Sequence, residues 1–68
     1  MVSVESEALA EIDYDAAHSI VFVRFLDGDW YRYFGVPPAV HAAFLAAASH
    51  GHFFHTHILG RYPYQRDR

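Results

Sequence analysis

The chain has no cysteine and no lysine, and only one methionine and one tryptophan among its 68 residues. Without cysteine it can form neither disulfides nor zinc–thiolate sites. No apolar run approaches the ~20 residues of a membrane span. The first ten residues, MVSVESEALA, carry two acids and no base, unlike a secretory signal. Every fixed positive charge is an arginine, which stacks on rings and forks hydrogen bonds where lysine does not. These absences predict a single cytoplasmic domain over residues 1–68, with no membrane association and no cofactor.

What is present is a dense supply of core material. Hydrophobic residues make up 53% and aromatic residues 18%, far from the profile of a disordered chain. That supply is needed, because ordering a chain of this size costs on the order of 100 kcal/mol at ~1.5 kcal/mol per residue. The formal charge of −3 is uneven. Residues 1–34 hold seven acids against Arg24 and Arg32, whereas residues 35–68 hold Asp67 against Arg61, Arg66 and Arg68. Five of the six histidines also lie in the second half. A domain of net negative charge is not an electrostatic nucleic-acid binder by default.

Periodicity predicts an α+β fold: a three-stranded antiparallel β-meander followed by one helix and a shorter second helical segment. Residues 1–7 are expected to be flexible. Ala8–Asp15 alternates, with Ala8, Ala10, Ile12 and Tyr14 on one side and Leu9, Glu11, Asp13 and Asp15 on the other, a half-buried strand. Ser19–Leu26 is β-branched and aromatic, Asp27-Gly28 is a hairpin signal, and Asp29–Val36 is the third strand. Pro37-Pro38 ends the sheet and opens a helix over Ala39–Ala48. Ser49 caps a second helix over His50–Leu59, on which Phe54 and Ile58 share one face and Phe53 and His57 another. Gly60 ends it, and residues 61–68 read as a polar tail.

Two hairpin registers are open. A two-residue turn pairs Leu26 with Asp29 and sets Val23 opposite Arg32. A three-residue loop, with Gly28 as a bulge, pairs Phe25 with Asp29. The second groups Val21, Val23, Tyr31 and Tyr33 on one face and Ile20, Phe22, Arg24, Trp30, Arg32 and Phe34 on the other. It is favoured because it collects one buried face, whereas a one-residue slip would exchange every assignment. The core expected from it is Val21, Val23, Phe25, Tyr31, Tyr33, Val40, Phe44, Phe54 and Ile58.

Enzymatic chemistry finds little support. The hydroxyls of Ser3, Ser6, Ser19, Ser49 and Thr56 have no nucleophile setting. The pairs Asp13/Asp15 and Asp27/Asp29 read as solvated edge and turn residues. The run His50-Gly51-His52-Phe53-Phe54-His55-Thr56-His57 offers imidazoles to a metal. A built zinc site, however, wants three or four ordered ligands. The histidines are expected at the surface between the core anchors Phe53, Phe54 and Ile58, with no metal centre.

The aromatic and basic residues form the best functional feature. Phe22, Arg24, Trp30, Arg32 and Phe34 share a face in the favoured register. Single-stranded RNA is commonly held by sheet aromatics and arginine planes. Tyr31 and Tyr33 complete the strand, and Arg61, Tyr62 and Tyr64, with Arg66 and Arg68, extend the set. The expected function is a non-catalytic binding domain for RNA or tRNA. The alternative is a protein-interaction module, acting as a homodimer or as a docking domain, which accommodates the acidic balance better.

Four segments together carry a resemblance: Ile12-Asp13-Tyr14-Asp15; Val21-x-Val23-x-Phe25-x-Asp27-Gly28; Tyr31-Arg32-Tyr33-Phe34-x-Val36-Pro37; and Ala48-Ser49-x-Gly51-x-Phe53-Phe54. Over residues ~8–64 the chain resembles the KTSC domain, a small bacterial domain found alone and at the C-terminus of some lysyl-tRNA synthetases. Its hallmark, a central Tyr-x-Tyr, is matched by Tyr31 and Tyr33. The resemblance implies a domain of unknown function for which RNA binding has been proposed from the synthetase association.

Overall fold

The Asp27-Gly28 turn fixes the register of the molecule. The computed structural model describes residues 2–3 and 8–67. In it the Phe25 N–H donates to the Asp29 carbonyl (3.0 Å) and the Gly28 N–H to the Phe25 carbonyl (2.9 Å). Gly28 sits at φ 96°, a conformation that a side chain would strain. β3 (Ile20–Phe25) and β4 (Trp30–Phe34) therefore pair Val21 with Tyr33, Val23 with Tyr31 and Phe22 with Arg32. This is the three-residue-loop register. Valines and tyrosines face one way, arginines the other.

β2 (Leu9–Asp15) pairs antiparallel with β3, but not with the strict alternation expected of it. Leu9 lies opposite Phe25 and Glu11 opposite Arg24, so Ala10 is an extra residue in a β-bulge. The bulge resets the side-chain phase and lets Leu9 and Ile12 both bury completely. Leu9, assigned outward by the sequence pattern, is thus a core residue. At the other end of β2, Asp15 Oδ1 accepts from the Ala17 and His18 N–H groups, closing the turn into β3.

Among the described residues the sheet has five strands, not three, in the order β1-β2-β3-β4-β5. β1 (Val2–Ser3) lies beside Ile12 and Glu11. The flexible segment expected over residues 1–7 otherwise lies outside the described residues. β5 (Tyr64–Asp67) corrects the reading of residues 61–68 as a tail: Tyr64 pairs with Tyr33, Gln65 with Arg32, Arg66 with Tyr31 and Asp67 with Trp30. Its composition is polar because an edge strand has one partner and little to bury. Pro63 stands just before it, where a missing N–H costs no ladder bond, and its carbonyl accepts from Phe34 N–H (2.9 Å).

α1 (Pro38–Ala46) begins with Pro38 in the first turn, where proline's fixed φ suits the helix. Phe44 is its one buried side chain, with Val40 and Leu45 packed at the margin of the core. It stops two residues before the expected end because Ala47 turns extended, freeing Ser49 to cap α2 (His50–Phe53) by accepting from the His52 N–H (3.2 Å). The helix continues as a π-turn over Phe54–Ile58, where the Leu59 N–H reaches back five residues to the Phe54 carbonyl (2.8 Å). Phe54 and Ile58 both remain buried, and Phe53 stacks on His57 at 4.3 Å.

Both helices pack on the Val21–Tyr33 face. The core is Leu9, Ile12, Val21, Val23, Tyr33, Val36, Phe44, Phe54 and Ile58. Phe25, Tyr31 and Val40, expected inside, are half-buried at its margin. Leu9, Ile12 and Val36 enter it instead. Val36 is pinned between strands: its N–H donates to the Ser19 carbonyl (2.9 Å) and its carbonyl accepts from the Tyr14 hydroxyl (2.7 Å). No helix among the described residues is long and apolar enough to cross a membrane.

Candidate functional site

The register divides the residues singled out in the sequence between two sheet faces. Phe22, Arg24, Trp30, Arg32 and Phe34 lie on the face away from the helices, all half-buried. Tyr31, Tyr33 and Tyr64 lie on the helix-bearing face. The two sets cannot form one platform.

On the helix-free face both arginines are neutralised, Arg24 by Glu11 in its own cross-strand row and Arg32 by Asp67 on the diagonal. Arg24 donates from Nε to Glu11 Oε1 (2.9 Å), with a second, shorter contact from the guanidinium to the same oxygen. Arg32 donates to Asp67 Oδ2 from Nη2 (3.0 Å) and Nε (3.3 Å). The Arg32 guanidinium carbon lies 6.0 Å from the centre of the Phe22 ring, at the outer limit of a cation–π contact. Glu11, Asp13 and Asp15 follow each other on this face of β2, opposite Arg24, Phe22 and Ile20. Four carboxylates thus meet two guanidiniums. Between them lies a shallow depression of about 250 Å³ lined by Asp13, Phe22, Trp30 and Asp67.

The other face carries a larger feature. A groove of about 560 Å³ opens there between the sheet, its β3–β4 hairpin and the π-turn. Five aromatic rings line it in a closed circuit of contacts. Phe25 meets Tyr31 at 5.1 Å, Tyr31 meets Tyr64 at 5.8 Å, and Tyr64 meets Tyr33 at 5.6 Å. Tyr33 meets Phe54 at 5.4 Å, and Phe54 returns to Phe25 at 5.5 Å. Tyr33 and Phe54, almost fully buried, are the floor; Phe25, Tyr31 and Tyr64 are the walls. The large hydrophobic side chains exposed among the described residues are Leu26 (61%), Leu59 (40%) and Tyr64 (58%), and all three line this groove. Asp27 and His55 complete it. Burial, reinforced by the neighbouring Tyr31 and Tyr64, pushes the Tyr33 phenol up to about 12. At neutral pH it is a neutral hydrogen-bond donor rather than a nucleophile.

The remaining candidates serve the scaffold. Arg61 Nε donates to the Thr56 carbonyl (2.9 Å), closing the end of the π-turn, and Tyr62 packs against the core margin. Arg66 pairs with Asp29 across the β4–β5 edge, which raises its already high pKa. Arg68 lies outside the described residues. The histidines are spread out: His50 Nε2 bonds the Leu45 carbonyl (3.1 Å), His57 stacks on Phe53, and His41 stacks on Tyr14 at 4.3 Å. Among the described residues no three potential ligands gather around a common point.

Leu26 and Leu59 were not singled out by sequence. Their signal was present, since each is an apolar residue directly preceding a turn, in Leu26-Asp27-Gly28 and Leu59-Gly60, where a solvated side chain is usual. The sequence pattern places Phe25 and Phe54 in the core, and each also lines the groove.

A protein-family model described as the KTSC domain matches residues 5–62. A protein from Tsukamurella paurometabola is 45% identical over 53 residues, covering 78% of this chain and 79% of the relative. An uncharacterized protein from Stutzerimonas stutzeri is 42% identical over 53 residues, covering 78% and 75% respectively. The crystal structure of a KTSC domain protein from Yersinia pestis superposes with a TM-score of 0.93 at 31% identity, covering 98% of this chain and 94% of that one. By sequence and by fold, the chain belongs to the KTSC domain family.

Proposed function

We propose that this KTSC domain is a non-catalytic protein-binding module that receives a basic, apolar segment of another protein in the groove between the β3–β4 hairpin and the π-turn. One observation carries the reading: the three large hydrophobic side chains exposed among the described residues, Leu26, Leu59 and Tyr64, all belong to that groove. An exposed apolar patch gathered at one place marks an interaction site more often than scattered ones do. The occupant is basic because Asp27 stands at the groove, no arginine among the described residues lines it, and the chain is net negative. A second copy would bring like charge, so the partner is a different protein. A cytoplasmic setting, expected from the absence of cysteine, belongs to the same proposal.

RNA on the helix-free face is the competing reading, and its geometry favours it less. Arg24 and Arg32 are held by Glu11 and Asp67, so a phosphate would have to displace carboxylates within a surplus of them. The test is a pair of NMR titrations of the isotope-labelled chain, one with a short peptide alternating leucine and lysine and one with single-stranded RNA. The proposal predicts peptide-induced shifts at Leu26, Tyr31, Leu59 and Tyr64. RNA-induced shifts at Phe22, Trp30 and Phe34, with a log–log salt slope of about −2 for roughly three phosphate contacts, would replace it with the RNA reading.

A further inference from the structure

We infer that the aromatic floor and walls of the groove recognise an alkylammonium group, the end of a lysine side chain on the partner protein. This rests on the protein-binding reading and names the chemistry of the group that enters. The five rings do not lie in one stack. Phe25 stands at 90° to Tyr31 and 78° to Phe54, and Tyr33 stands at 81° to Phe54. Tyr64 is inclined by 44° to Tyr31 and 31° to Tyr33. Rings inclined steeply to one another around one groove border it at several orientations, and it is the electron-rich π-face of each ring, not its electropositive edge, that attracts a cation. A cation within ~6 Å of ring centres is held by their quadrupoles.

The fixed charges agree. Asp27 lines the groove, and its Oδ1 already accepts the Asp29 N–H (2.9 Å) in the hairpin turn, so the carboxylate is fixed in place. Arg66, which lies opposite Tyr31 in the sheet, is paired with Asp29 and is not part of the lining. Only His55 among the lining residues carries a titratable base. Leu26 and Leu59 then offer apolar contact to the methylene stem behind an ammonium group, as a lysine side chain requires. An anion would meet the same ring faces and the same carboxylate unfavourably.

The test separates charge from shape. The full chain is titrated, with NMR detection, against two capped pentapeptides that differ at one central residue. One carries trimethyl-lysine; the other carries its neutral tert-butyl isostere, which has the same outline without the charge. The inference predicts shifts at Phe25, Tyr31 and Tyr64, and binding of the charged peptide about tenfold tighter, the scale of a partly desolvated cation–π contact. Asp27→Asn keeps the Oδ1 acceptor of the turn and is expected to weaken the charged peptide several-fold while leaving the isostere unchanged. Tyr64→Leu, at an exposed position, is expected to remove the preference between the two. Equal binding of both peptides in the groove overturns the ammonium inference and leaves the protein-binding reading standing. No groove shifts with either peptide, nor with the leucine–lysine peptide, overturns both.

Discussion

Truncating Phe44 to alanine removes the single side chain through which α1 is buried. Phe44 is fully enclosed; it stacks on Phe53 at 5.4 Å and 14°, and also meets Phe54 at 6.4 Å and His50 at 6.3 Å. The cost has two parts, the lost transfer of the ring and the cavity left among residues that cannot fully collapse. Together they come to about 3–5 kcal/mol for a buried phenylalanine. The stacked partner contributes within that sum, at ~0.5–1.5 kcal/mol. A domain of this length has roughly 3–10 kcal/mol of total stability at ~0.05–0.15 kcal/mol per residue. Phe44→Ala should therefore remove a large share of it. Urea and thermal denaturation followed by circular dichroism are the assays, and the melting midpoint should fall by about 12 °C or more at roughly 4–8 °C per kcal/mol. The contrast is Leu45→Ala, one residue along and half-buried, which should cost clearly less. A loss below about 1 kcal/mol for Phe44→Ala would mean that α1 does not depend on this contact and would refute the packing derived above.

Two further perturbations follow from single contacts. Tyr14→Phe removes the hydroxyl that donates to the Val36 carbonyl at 2.7 Å and should cost about 0.5–1.5 kcal/mol in the same denaturation assay; an unchanged midpoint would show that the strand ends hold without it. His41, stacked on Tyr14, has its pKa lowered by burial, with Asp13 opposing. The unfolded chain then binds the proton more readily, so this group's contribution is complete above the unfolded pKa of ~6.5 and is lost as pH falls below it. His41→Phe should flatten that part of a stability–pH profile, and parallel profiles for variant and wild type would contradict the assignment.

The hairpin register was legible because a slip mixes valines with arginines, and Gly28 at positive φ offers the loop that avoids it. The bulge at Ala10 was not. A period-2 reading has no place for an extra residue, and only the simultaneous burial of Leu9 and Ile12 exposes it. β5 escaped because Tyr64-Gln65-Arg66-Asp67 is a polar edge strand whose stabilisation comes from ladder bonds and the Arg66–Asp29 and Arg32–Asp67 pairs, none of which has a hydrophobic period. The π-turn escaped for a related reason: Phe54 and Ile58 lie on one face in either kind of helix. At the candidate site the residue types were readable and their grouping was not. Tyr31 and Arg32 are neighbours in sequence and lie on opposite faces in space. The ring circuit joins β3, β4, β5 and the π-turn, a juxtaposition that exists only once β5 is in the sheet.

The central claim is that the groove, and not the helix-free face, is the binding surface. Its most direct test is the dissociation constant of the leucine–lysine peptide for two folded variants measured side by side, Tyr64→Leu and the double variant Trp30→Ala with Arg32→Ala. All three substitutions fall at positions outside the buried core, and circular dichroism establishes that each variant is folded. The account predicts that Tyr64→Leu weakens binding at least several-fold while the double variant binds as wild type does. Loss of binding in the double variant with full affinity in Tyr64→Leu would contradict it and place the site on the other face of the sheet.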